Sequence, residues 1–263
     1  MNRIAPFVFV ILWSSAFITS KVIVDNASPF AALCLRFFIV SMVFFIFAKL
    51  LNKKIIYDFT KILEAFFSGI LFHGFYLGGV FYSISIGMPA SVVALIVSMQ
   101  PVLTNIFAGP ILNERVTWKQ WVGITFGFIG SILVLGFDIG STIPIIGVIG
   151  SLLALIAATT ATLWQKKISN KLPLVVNNFY QAVGASFFLL VIVIFFEEPF
   201  IFINFNFIIA MSWQIIFISF GAFTILMYLI KIGTASKTSN LFFLVPSISA
   251  LMAWTVLDEI ITF

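Results

Sequence analysis

Charge is what this chain has least of. Asp, Glu, Lys and Arg make up 9% of its 263 residues, against roughly a quarter in a soluble domain. Hydrophobic residues make up 62%, and the mean hydropathy is +1.21. One cysteine, Cys34, excludes an internal disulfide and a cysteine metal site. One histidine, His73, excludes a multi-histidine centre. The sequence has no Gly-rich phosphate loop, no GxSxG and no HExxH. Neither paired carboxylates nor a His/Asp cluster stand at either end of an apolar run. The expectation is therefore no catalytic residues, no cofactor, no metal and no enzyme. The net charge of +5 does not point to nucleic acid, because the basic residues flank apolar runs.

Those apolar runs are the main content of the chain. About 20 mostly apolar residues span a bilayer as a helix. Nine stretches qualify, at roughly 4–22, 30–49, 64–86, 89–111, 118–137, 143–165, 173–196, 211–231 and 238–257. The first follows Arg3 and has no small-residue cleavage site behind it, so it reads as an uncleaved transmembrane helix. With the N-terminus in the cytoplasm, every Lys and Arg except Lys21 and Arg36 falls on the inner side, as the positive-inside rule requires. Asp25, Asp138, Glu197, Glu198, Asp258 and Glu259 then fall outside. The predicted location is a cell inner membrane, multi-pass, with the lipid bilayer as the first partner.

One segment occurs twice. Residues 100–118 read QPVLTNIFAGPILNERVTW, and residues 245–263 read VPSISALMAWTVLDEIITF. Pro101 and Pro246, Glu114 and Glu259, Thr117 and Thr262, and Trp118 and Phe263 each stand 145 residues apart. Repetition at half the chain length is a mark of secondary transporters. Five helices per repeat is an odd number, so the second copy is inverted in the membrane. Arg36 falls opposite Gln181 by the same offset.

The chain resembles a known family through Leu35-Arg36-Phe37, Pro101, Glu114 and Trp118, followed by Gly123, Gly127, Gly130 and Gly136. It is similar to EamA-type members of the drug/metabolite transporter superfamily over nearly its whole length. The resemblance implies an all-α integral membrane protein made of two inverted five-helix repeats around a central substrate cavity. Here the repeats would be residues 1–137 and 143–263. Nine transmembrane helices would be present, and the tenth, resembling 118–137, would be missing after Phe263. The resemblance also implies a secondary transporter, an exporter of small polar metabolites such as amino acids, working by alternating access. The alternatives from other classes are an integral-membrane enzyme and a non-transporting membrane scaffold.

Charges inside a membrane cost about 2.5–3.5 kcal/mol on insertion scales, so each is a functional candidate. Arg36 is the sharpest. It is read either as a guanidinium that binds a substrate carboxylate or as an arginine that snorkels to the interface. His73 is read either as a proton-coupling residue or as a neutral packed histidine, and the packed reading is preferred. Trp13, Ser14, Tyr76, Gln100, Trp164 and Gln181 complete the expected substrate-binding set, with Asn177 and Asn178 among further cavity-lining polar residues. Pro101 and Pro246 are read as mid-helix hinges. Glu114 and Glu259 are structural acids expected to brace the helix that follows each. The Gly123-x3-Gly127 and Gly74-x3-Gly78 faces serve packing within the chain or in a homodimer.

Overall fold

The computed structural model describes residues 4–135 and 143–256. Apart from an isolated antiparallel bridge between Ala27 and Ile201, the described residues form helices and their connections. In order these are α1 (Ala5–Val24), α2 (Pro29–Leu50), α3 (Phe59–Ser85), α4 (Ala90–Val97), α5 (Gln100–Leu112), α6 (Trp118–Leu135), α7 (Ile145–Ile168), α8 (Leu174–Phe196), α9 (Phe205–Ile232), α10 (Ala235–Ser239) and α11 (Leu244–Val256). In lipid every backbone polar group needs an internal partner, so apolar runs of this length fold as helices.

Seven helical segments among the described residues are long and apolar enough to cross a membrane: α1, α2, α3, the combined run Val92–Leu112, α7, α8 and α9. The two other expected stretches are helical over α6 and α11, each of which ends at the border of the described residues.

Proline sets many of the helix starts. Pro6, Pro29 and Pro101 lie in the first turn of α1, α2 and α5, and Pro89, Pro144 and Pro173 stand immediately before α4, α7 and α8. A missing N–H costs nothing there, because first-turn amides have no partner within the helix. Elsewhere side chains cap the amides: Asp58 accepts from Thr60 N, Asn204 from Phe207 N and Thr234 from Lys237 N.

Two helices depart from α geometry in the same way. The middle of α3 is a π-helix over Ile70–Leu77, and the middle of α9 is a π-helix over Gln214–Ala222. These segments end 145 residues apart, the offset that separates Pro101 from Pro246.

The core is built by contacts across the two halves of the chain. α2 runs along α8, and α3 crosses α8 where neither backbone can retreat. A Cβ on Gly69 would sit 2.0 Å from the Gln181 carbonyl oxygen, and one on Gly184 would sit 2.2 Å from that of Phe66. α1 lies between α9 and α11. Ser14 Oγ donates to the Val245 carbonyl at 3.2 Å, and Ser249 Oγ donates to the Ser14 carbonyl at 3.0 Å.

Each end of the bundle is closed by a carboxylate on a helix N-terminus. At one end Glu197 accepts from the amides of Phe30 and Ala31 in the first turn of α2, at 3.0 and 2.7 Å. At the other, Glu114 accepts from those of Ala235 and Ser236 in the first turn of α10, at 2.9 and 3.1 Å. Both placements put an anion where the helix dipole and unpaired amides favour it.

Candidate functional site

The polar residues of the interior lie at successive depths. α1 and α3 both start near the end of the bundle that carries Glu114, here called the Glu114 end, and α9 finishes there. Reading α3 upward and α9 downward gives the same sequence of layers.

Toward the end opposite Glu114 is a narrow cavity of about 20 Å³ lined by Trp13, Ser20, Arg36, Tyr76, Gln214 and Ile218, with Phe17 and Phe81 beside them. That is room for about one water molecule, not for a metabolite. Both π segments contribute to its wall, through Tyr76 and Leu77 from α3 and through Gln214 and Ile218 from α9. A π turn breaks the regular helix ladder, and such turns recur at functional sites.

Arg36 is 3% exposed. Its Nε–H donates to Ser219 Oγ at 2.8 Å, and its guanidinium lies 5.1 Å from the Phe37 ring centroid. Among the described residues its terminal NH2 groups meet no acceptor, and the ion pairs are Lys21–Asp25 and Lys171–Glu64, both away from it. A guanidinium carries five donors, so most of its capacity faces the cavity unspent. Gln214 is fully buried. Its Nε2 donates to Ala16 O, Thr19 Oγ1 and Ser20 Oγ, which fixes the amide against α1.

The next layer is aromatic. Trp13 packs edge-on against Phe72 and Phe242, Phe9 against Phe242, and Phe72 against Phe223. His73 sits in this layer, 3% exposed, with Phe37 and Phe223 ring centroids each at 4.4 Å and no partner for Nδ1 among the described residues.

Beyond the aromatics, toward the Glu114 end, lies a layer of amides. Gln100 on α5 donates to Thr162 Oγ1 on α7 at 2.8 Å. One turn along α7, Gln165 donates to Gln181 Oε1 on α8 at 2.9 Å. One turn along α8, Asn178 donates to Thr224 Oγ1 on α9 at 3.3 Å, and Gln181 Nε2 approaches Met227 Sδ at 3.8 Å. The chain of contacts thus joins four helices.

The structure gathers three of the expected binding residues, Arg36, Trp13 and Tyr76, around one cavity. It sends the others elsewhere. Gln100 and Gln181 belong to the amide layer. Ser14 is spent on pinning α1 to α11. Trp164 is 37% exposed on the outer side of α7 and lines no part of the cavity, while its neighbour Gln165 is the buried residue. Pro101 stands in the middle of the run Val92–Leu112 but in the first turn of α5, and Pro246 stands in the first turn of α11. The chain breaks at Ser98–Met99 ahead of Pro101 and passes through a 3-10 turn, Asn240–Phe243, ahead of Pro246.

Glu114 does not brace α6. Thr117 and Gln120 already form a capping box there, with Gln120 Oε1 accepting from Thr117 N at 2.8 Å, which leaves Glu114 to hold α10. Its repeat mate Glu259 lies outside the described residues. At Gly123 a Cβ would meet nothing within 4 Å, whereas one on Gly127 would strike the Phe243 ring, so one glycine of that pair is a contact and the other is open.

Gln165, Gln214 and Ser219 complete these layers and were absent from the expected set. Gln165 and Gln214 had a sequence signal: each is an amide within an apolar run long enough to cross a membrane. Ser219 had none that separates it from an ordinary helix serine.

Comparison with known proteins agrees with this architecture. The family model described as the EamA-like transporter family matches residues 4–136 and 145–263. An "Uncharacterized transporter YvbV" of Bacillus subtilis (strain 168) is 28% identical over 213 residues, covering 76% of this chain and 65% of that protein. An "Uncharacterized transporter YyaM" of the same organism is 32% identical over 173 residues, covering 62% of this chain and 55% of that protein. The matches thus span less than two thirds of the length of these two relatives. An "Uncharacterized transporter in trpA 3'region" of Buchnera aphidicola subsp. Schlechtendalia chinensis is 26% identical over 255 residues, covering 92% of this chain and 80% of that protein. A solved structure described as "Crystal structure of protein" superposes with a TM-score of 0.78 at 18% identity, covering 97% of this chain and 88% of that one, a likeness of fold.

Proposed function

Because the chain belongs to the EamA-like transporter family, we propose that it is a secondary transporter that exports small polar metabolites bearing a carboxylate, amino acids among them, by alternating access. The observation that carries this reading is Arg36. A buried guanidinium with no anion beside it among the described residues is costly unless something supplies one. A solute carboxylate would dock on the terminal NH2 groups as a two-pronged pair, while Ser219 holds Nε and Trp13 and Tyr76 wall the site. The cavity is too small for such a solute as it stands, so binding would require it to widen around Arg36.

Two inverted repeats, 1–137 and 143–263, suit the 145-residue offset shared by the prolines and by the ends of the π segments. The breaks ahead of Pro101 and Pro246 and the two π turns are where the helices would bend, and the aromatic layer is what a solute would have to pass. His73, packed among aromatic rings, is a poor candidate for proton exchange and a better one for that barrier. Lys49, Lys53, Lys54, Lys166, Lys171 and Lys231 lie toward the Glu114 end, which supports a cytoplasmic N-terminus in an inner membrane.

The test is solute counterflow in proteoliposomes with a carboxylate and its neutral amide analogue as a matched pair. Arg36→Gln is expected to weaken the carboxylate about 10- to 100-fold, the worth of one charge-assisted hydrogen bond or more, and the neutral analogue far less. Equal losses for the two would make Arg36 structural and overturn the reading.

A further inference from the structure

The amide layer has a one-sided hydrogen-bond balance. Gln100, Thr104, Gln165 and Asn178 are at most 1% exposed. The side-chain N–H groups of Gln100, Gln165 and Asn178 are turned onto Thr162, Gln181 and Thr224. Their oxygens are not used: Gln100 Oε1, Gln165 Oε1, Asn178 Oδ1 and Thr104 Oγ1 have no partner among the described residues. Burying a polar atom without a partner costs about 1–3 kcal/mol, and here three such atoms belong to amides bonded in separate pairs on α5, α7 and α8, with the Thr104 hydroxyl one turn along α5 from Gln100. The unpartnered atoms of this layer are all oxygens, as are Ser68 Oγ and Gln214 Oε1 outside it; what sets the layer apart is that three of its amides leave their oxygens open.

We propose that this layer is a second binding site, for a monovalent cationic group. Neutral amide and hydroxyl oxygens are hard ligands that suit a sodium ion or an ammonium group. The described residues hold no group of three or more His, Cys, Asp or Glu that could bind a metal ion, so the layer lacks the carboxylates that a divalent ion demands. Lys166, next to Gln165 in the chain, donates to the carbonyls of Ile230 and Gly233 instead. The layer lies across the aromatic residues from Arg36, so the two sites bind groups of opposite charge at different depths. The cation would be either a sodium ion or the ammonium of a solute. The second source rests on the transport reading above, and the first does not.

The experiment is an equilibrium one and requires no transport. The thermal midpoint of the purified protein is followed while sodium chloride, or methylammonium chloride, replaces choline chloride at constant ionic strength. Choline has no N–H to donate to the open oxygens and is bulkier than either test cation. A saturable rise in Tm with sodium alone identifies an ion site; a rise with methylammonium identifies an ammonium site; no rise with either overturns the proposal. Asn178→Leu and Gln165→Leu are expected to abolish the rise, and Arg36→Gln to leave it unchanged. Should the leucine variants not fold, Gln165→Glu supplies the reading: an added charge should move the half-saturating concentration down about tenfold, worth ~1.4 kcal/mol, and an unmoved midpoint overturns the site. Failure of Arg36→Gln to discriminate carboxylates would sink the transport reading and leave this result standing.

Discussion

The Arg36 cavity and the amide layer are both buried and polar, yet they are built in opposite senses. The cavity offers mainly donors, because a guanidinium has no acceptor, although Gln214 Oε1 also stands there without a partner, and its walls are largely aromatic. The amide layer offers acceptors, because its N–H groups are already turned inward on neighbouring side chains. Burial alone therefore does not define a binding site in this bundle. What distinguishes the two regions is which half of the hydrogen-bonding capacity the fold has mostly left over. The rings of Phe72, Phe223, Trp13 and Phe242 keep the two apart.

The largest effect should come from the crossing that both regions share. Gly69→Val would drive a side chain into the Gln181 backbone, which cannot rotate away. We expect at least about 3 kcal/mol of destabilisation and loss of the monodisperse peak on size exclusion. Gly123→Ala, with open space around it, should melt like the parent; equal behaviour of the two variants would show that the α3–α8 contact is not tight.

Next comes the donor side. Arg36→Lys keeps the charge but loses the planar fork, and should weaken a carboxylate solute about tenfold, an ~1.4 kcal/mol effect. Full retention of affinity in counterflow would mean that charge alone matters there.

Ser219→Ala removes the acceptor that orients Nε. A single hydrogen bond contributes about 0.5–1.5 kcal/mol net, so a few-fold loss of carboxylate affinity is expected with cation stabilisation unchanged. A matching loss on the cation side would couple regions that the aromatic layer separates.

Glu114→Gln and Glu197→Gln each remove an anion from a helix N-terminus and should cost about 0.5–1 kcal/mol in Tm terms. The smallest change belongs to Lys21→Ala, whose pair with Asp25 is solvent-exposed on both sides. Its effect should stay within about 0.5 kcal/mol, and a larger one would mark a role outside the bundle interior.

The helices were legible because hydropathy is an additive signal: a run of apolar residues announces itself whatever it touches. The 145-residue spacing of Pro101 from Pro246 and of Glu114 from Glu259 was legible for a similar reason, since proline and glutamate stand out in an apolar background. Arg36 could be singled out because its cost in a membrane is large wherever it points. Direction was not legible. Trp164 and Gln165 are adjacent, and one residue of helical phase, about 100°, decides which faces lipid. The π turns hid this phase further, because the register of Tyr76 relative to Gly69 is not that of a continuous α-helix. Glu114 was visible as an acid at a helix end, but its partner lies 121 residues on, at Ala235. Nothing local points there.

The link between Ser14 and its partners in α11 sets a clock on biosynthesis. Ser14 and Ser249 lie 235 residues apart, and at a synthesis rate of about 5–20 residues per second the second serine emerges roughly 10–50 s after the first. Through that interval α1 must stay in the bilayer by its own apolarity, with its serines bonded back to its own carbonyls, as Ser15 is to Leu12 and Ser20 to Ala16. α1 is made well before α9 and α11, the helices it packs against most, so its assembly is governed by the ribosome before it is governed by packing.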